Sequence, residues 1–155
     1  MTLEEFGILW QKSNHGKVAD SEHDLQVTCV KWFRYNYRAY TQLLFAIPNG
    51  GWRNTTTAAK LKAEGVIAGV PDLFLAVPNG KYHGLFIEMK NGKAGRLSSV
   101  QKDMLTLLRN ENYKCEVCHT FPEFVIAVQT YLRAQTAIDD LWDARIYKTD
   151  KCTTD

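Results

Sequence analysis

The chain lacks any apolar run near the roughly 20 residues that a membrane-spanning helix needs. It also lacks an excess of either charge. Its 19 Lys and Arg stand against 17 Asp and Glu, a net +2. Total charge therefore gives no argument for a polyanionic partner; only its placement along the chain could. Cysteine is sparse, with four in 155 residues. Cys115-Glu116-Val117-Cys118-His119 does match a c-type haem attachment pattern and half of a zinc site. Haem attachment requires export, and the segment Met1-Thr2-Leu3-Glu4-Glu5 is acidic where a secretory leader is basic. A structural zinc site requires four ligands with paired spacing, whereas Cys29, Cys152, His15, His23 and His83 are scattered. The expectation is buried structural thiols in a cytoplasmic protein. Internal repeats, low-complexity tracts, zinc-finger spacing and helix-turn-helix signatures are all missing.

What remains is an ordinary globular composition, 45% hydrophobic and 23% charged, in a length that supports one domain with a buried core. Three parts are expected: an extension over 1–20, a domain over 21–134, and a polar tail over 135–155 that carries Ile138, Leu141 and Trp142. Ser21-Glu22-His23-Asp24 is an N-cap with acids in the first turn. Leu25, Cys29, Trp32 and Phe33 then recur at helical spacing, which predicts a helix over 22–38. Leu43 to Ile47 predicts a buried strand, ended by Pro48-Asn49-Gly50-Gly51. A Thr-capped helix over 55–64 closes at Gly65. Strands at 72–77 and 82–90 flank a hairpin signal, Pro78-Asn79-Gly80-Lys81. Asn91 to Leu97 is a glycine-bearing basic loop. Ser98-Ser99-Val100-Gln101 is a capping box that opens a helix to about 111. A strand at 113–119 and a helix at 122–134 follow.

Asp72, Glu88 and Lys90 are charges where a buried strand should carry none. A buried carboxylate without a partner is costly, so these residues form either a salt-bridged cluster or a cation site. Strand side chains alternate, so Glu88 and Lys90 share a face and Met89 points away. Asp72 reaches that face only under one condition. A two-residue turn at Asn79-Gly80 would set Asp72 opposite Ile87; an odd-length loop at 79–81, or a bulge, would set it opposite Glu88. The odd connection is the expectation. Two acids, a divalent cation and a Lys are the ingredients of phosphodiester hydrolysis: the ion polarises the phosphate and acidifies a water, and the Lys orients that water or offsets charge. Lys60, Lys62, Lys81, Lys90, Lys93, Arg96 and Lys102 fall in the same stretch and would suit a basic rim for a phosphate polymer. Each alone also reads as solvated surface.

Pro71-Asp72 followed by Glu88-Met89-Lys90 resembles the PD-(D/E)xK nuclease signature. The surroundings resemble a narrower group, the VRR-NUC domains, small stand-alone and phage-type. They are Ser21-Glu22-His23-Asp24-Leu25-Gln26, Ile47-Pro48-Asn49-Gly50-Gly51, Lys60-Leu61-Lys62-Ala63-Glu64-Gly65, Gly69-Val70-Pro71-Asp72 and Gly95-Arg96-Leu97-Ser98-Ser99-Val100-Gln101. The resemblance runs over about 21–133. It implies an α/β fold, a restriction-endonuclease-like αβββαβ core with a mixed sheet flanked by helices. It implies Mg²⁺- or Mn²⁺-dependent cleavage of DNA, structure-specific on branched substrates such as Holliday junctions, by a homodimer in a bacterial or phage-infected cell. Neither an organic cofactor nor a membrane is implied.

Carried onto this chain, Asp72 and Glu88 would ligate the metal, with the Met89 carbonyl as a further ligand and Glu22 supporting through the metal or a water. Lys90 would position and activate the nucleophile, and Gln101 would hold the site from the following helix. Asn49, Gly50, Arg53, Lys62, Lys93 and Arg96 are the candidate DNA contacts. Plainer readings stand beside these. Glu22 is a first-turn acid favoured by the helix dipole, Gln101 is the third-position partner of Ser98 in a capping box, and Asn49-Gly50-Gly51 is a turn.

Overall fold

The computed structural model describes residues 21–48, 55–92 and 95–133. Eight elements follow one another. They are α1 (Glu22–Asn36), β1 (Leu44–Ala46), α2 (Thr55–Ala63), β2 (Leu73–Leu75), β3 (Leu85–Met89), α3 (Ser99–Asn110), β4 (Lys114–Cys118) and α4 (121–133). A 3₁₀ turn at Arg38–Tyr40 joins α1 to β1. With α2 and the final α4 set aside the order is αβββαβ, as expected. The extension at 1–20, the loop residues Asn49, Gly50, Arg53 and Lys93, and the tail at 135–155 lie outside the described residues.

The four strands form one sheet in sequence order, β1-β2-β3-β4. The first two pairings are antiparallel and the last is parallel. A parallel partner needs a crossover, and α3 supplies it. The sheet is covered on both faces. On one face α1 packs Leu25, Cys29, Trp32 and Phe33, and α4 adds Phe124, Val125 and Val128, against Leu73, Leu75, Leu85, Ile87 and Met89. On the other, Leu105 and Leu108 of α3 sit with Phe74, Phe86, Cys115, Tyr113 and Val117. Phe74 stacks on Phe86 with ring centroids 4.4 Å apart. Covered on both sides, β3 is buried at every position, including its one charged residue.

Local signals hold the helices in place. The Ser21 hydroxyl accepts the Asp24 N–H at 3.1 Å and starts α1. The Ser98 capping box is complete at the start of α3. Thr120 accepts the Glu123 N–H at 3.3 Å at the start of α4. The first strand departs from expectation: Leu44 is buried, but Leu43 and Phe45 are 37% and 46% exposed. β1 is the edge of the sheet rather than a buried strand, so it is packed less completely than β3. Among the described residues no helix is long and apolar enough to cross a membrane.

Candidate active site

The β2–β3 register decides whether the acidic residues meet. Leu73 pairs with Ile87, Phe74 with Phe86 and Leu75 with Leu85. Nine residues, 76–84, lie between the innermost pair. The connection is odd, as the parity argument required, and the same register extended by one pair places Asp72 opposite Glu88. Asn79 shapes the turn, its side-chain oxygen accepting the N–H groups of Lys81 at 3.3 Å and Tyr82 at 2.9 Å. Asp72 itself stands just before β2, and Lys90 just after β3.

At the end of β3 these side chains converge. Glu88 is 1% exposed. Its Oε1 accepts the Lys90 ammonium at 2.7 Å and the Gln101 amide Nε2 from α3. Asp72 is oriented by the main chain, its Oδ2 accepting the Met89 N–H at 2.8 Å. Met89 therefore contributes a main-chain contact while its side chain is buried in the α1/α4 core. Glu22, exposed at the start of α1, brings Oε2 to 4.0 Å from Lys90 Nζ. It stands beside the lysine rather than in a cage with the other two acids. Gln101 does two things at once. Its Oε1 accepts the Ser98 N–H at 2.9 Å, completing the capping box, while its Nε2 donates to Glu88. One side chain thus joins the helix cap to the Glu88 carboxylate.

The electrostatics are unbalanced. Three carboxyl groups, Glu22, Asp72 and Glu88, surround the single Lys90 ammonium. Burial pushes the Glu88 carboxyl above its usual range; the Lys90 hydrogen bond pulls it back, and the charges of Asp72 and Glu22 push it up again. Burial alone would lower Lys90, but its hydrogen bond to Glu88 and the surrounding acids outweigh that and hold it above an ordinary lysine. Lys90 is therefore a cation at neutral pH. Among the described residues no donor reaches the Glu88 Oε2.

The approach of α3 to this site depends on one backbone position. Gly69 has φ +84°, and a Cβ there would lie 2.7 Å from the Val100 carbonyl oxygen. Only glycine lets the segment leading into Asp72 pass so close to the start of α3.

Other candidates fall elsewhere. Lys62 is exposed near the end of α2, and Arg96 is exposed just before α3. Lys81 lies at the hairpin end of β2 and β3, away from Glu88, with its ammonium 5.2 Å from the centre of the Tyr82 ring. It is therefore not part of a rim around the site. Cys115 and Cys118 face opposite sides of the sheet, one in each core. Three apart on a strand they cannot chelate one ion, and both are free thiols. Among the described residues no group of three or more His, Cys, Asp or Glu side chains is placed to hold a metal. The Ser98 N–H contact is the one that the capping box predicted; sequence reasoning missed the Met89 main-chain N–H on Asp72.

An αβββαβ core with a mixed sheet, bearing Pro-Asp before one strand and Glu-x-Lys at the end of the next, is the arrangement of a restriction-endonuclease-like domain. Residues 10–122 match the model of the VRR-NUC domain. The chain belongs to that family and carries a nuclease-type domain. A solved structure described as a VRR_NUC domain protein superposes with a TM-score of 0.66 at 26% identity, covering 76% of this chain and 91% of that one. No curated protein matches.

Proposed function

We propose that this domain is a metal-dependent DNA endonuclease. The observation that carries the reading is the convergence of Asp72, Glu88, Lys90 and Gln101 from three separated stretches of sequence. A divalent cation fits the donor set. Glu88 is deeply buried, one of its oxygens has no donor among the described residues, and the acids outnumber the base. Asp72 and Glu88 would hold Mg²⁺ or Mn²⁺, with the Met89 carbonyl, water and substrate phosphate completing the shell. Mg²⁺ characteristically takes only one or two carboxylates and fills the rest of its shell in this way. Once bound, the ion would supply Lewis-acid polarisation of the phosphate and an acidified water. Lys90, pinned on Glu88, would orient that water and offset charge that develops on the phosphate. Glu22 would act through Lys90 or a water, and Gln101 would keep the Glu88 carboxylate in place. Lys62 and Arg96, with Asn49, Gly50, Arg53 and Lys93, would contact the DNA backbone.

The preference for branched DNA such as four-way junctions, and action as a homodimer, rest on the resemblance alone. The test is cleavage of labelled four-way junction, flap, linear duplex and single-stranded DNA with Mg²⁺, Mn²⁺ or EDTA, beside Glu88→Ala. Metal-dependent cutting of one or more substrates, lost in the variant, is expected. Binding without any cutting would instead mark a non-catalytic DNA-binding module.

A further inference from the structure

We propose that Ser98 is a positioning residue of the active site, whose main-chain N–H decides which end of the Gln101 amide faces Glu88; this rests on the nuclease reading above. The two ends of a glutamine amide are nearly alike in shape, but only the nitrogen can donate. Turned over, the amide would set its oxygen against the buried Glu88 carboxylate. The Ser98 N–H claims the Gln101 Oε1 at 2.9 Å, and this leaves the Nε2 on Glu88 Oε1. Both contacts require the same orientation, so the helix cap and the carboxylate are read by one side chain.

Ser98 performs two separable tasks with two different groups. Its hydroxyl accepts the Gln101 N–H at 3.2 Å and caps α3. Its own N–H orients the amide. A substitution that removes only the hydroxyl loosens the helix start. One that removes the N–H as well frees the amide to turn. Ser98 has φ −69°, the value at which a proline ring holds the chain. Proline can therefore occupy the position without forcing the backbone.

The experiment compares Ser98→Ala with Ser98→Pro in the full chain. Both lower the melting temperature by similar amounts, because both lose the cap. Ser98→Ala lowers kcat several-fold at most. Ser98→Pro lowers it about 10- to 100-fold further, the range for loss of an outer partner of a metal ligand, with KM little changed. The side-chain NH₂ resonances of Gln101, assigned by their loss in Gln101→Glu, keep their shifts in Ser98→Ala and move in Ser98→Pro. Equal kcat values and equal amide shifts in the two variants would overturn the proposal. A wild type that cuts no DNA would refute the nuclease reading, while the amide resonances would still decide the role of Ser98. If Ser98→Pro does not fold, hydrogen exchange decides. The Ser98 amide should be protected in the wild type and exposed in Gln101→Leu; an amide that exchanges freely in the wild type would refute the contact.

Discussion

Replacing Gly69 by Ala tests whether the site is held by a tight crossing of main chain. Two terms add there. The φ of +84° is in the left-handed region, which costs an L-residue about 1–2 kcal/mol. The added Cβ would also meet the Val100 carbonyl oxygen at 2.7 Å and its carbonyl carbon at 2.9 Å. These are main-chain atoms at the start of α3 and cannot rotate aside, so the second term is of the order of overpacking, about 1–3 kcal/mol. Gly65 is an internal control. Its φ is +98°, but a Cβ there meets nothing within 4 Å, so Gly65→Ala carries the backbone term alone. Alanine also restricts the unfolded chain, which returns about 0.4–1 kcal/mol in both variants. The expected losses are thus about 1 kcal/mol for Gly65→Ala and about 2–4 kcal/mol for Gly69→Ala. At about 3 °C per kcal/mol for a chain of this size, melting temperatures should fall by about 3 °C and about 6–12 °C. Urea titration and thermal scans measure both. Gly69→Ala should also reduce cleavage, because Asp72 follows closely and Val100 precedes Gln101, whereas Gly65→Ala should retain it. Losses equal within about 0.5 kcal/mol would show that the crossing relaxes freely, and the steric argument would fail.

Further outcomes are expected. Lys62→Ala should weaken binding of every DNA equally and lower the salt slope by about one; an unchanged slope would remove it from the phosphate contacts. Mn²⁺ at about 100 times its Kd should stabilise the wild type by about 2.7 kcal/mol but leave Asp72→Asn and Glu88→Gln unshifted, and equal stabilisation in all three would refute ligation by these acids. In a Cys152→Ser background, Cys29, Cys115 and Cys118 should resist a thiol reagent at pH 8. Burial raises all three, Cys118 to about 12, so labelling without prior unfolding would contradict their placement. Tyr131→Phe removes the buried hydrogen bond that its hydroxyl donates to the Val77 carbonyl at 2.7 Å and should cost about 1 kcal/mol at neutral pH. Burial raises this phenol to about 12. Above pH 10 the unfolded chain therefore loses the proton first, binds fewer protons than the folded one, and wild-type stability falls up to about pH 12. The Phe variant should lack that component of the alkaline fall, and an identical slope would refute it.

The site combines costs that a purely structural core would avoid. A buried carboxylate with a raised pKa, a buried lysine and a glutamine borrowed from a helix cap lie together at the end of the most buried strand. Apolar packing of the same volume is often as stable or more so. Their assembly is what the proposed chemistry needs: a cation site already oriented by hydrogen bonds and shielded from bulk water.

The sequence by itself determined the order of the elements, since caps and periodicity act over a few residues. Ser21 with Asp24, Ser98 with Gln101, and the run Leu25, Cys29, Trp32, Phe33 are contacts or spacings within one helix. It also determined that Asp72 and Glu88 could meet only through an odd connection, because strand alternation has a strict period of two. Strand alternation likewise separates Cys115 from Cys118. Strand order was another matter. Nothing local says that Leu43 to Ile47 lies at the edge of the sheet with Phe45 half-exposed. Nor could local rules show the Met89 N–H on Asp72, 17 residues away, or Gln101 on Glu88, 13 residues away. Those contacts exist because both faces of the sheet are covered and Gly69 lets α3 approach. They are consequences of packing between elements, which only the tertiary structure decides.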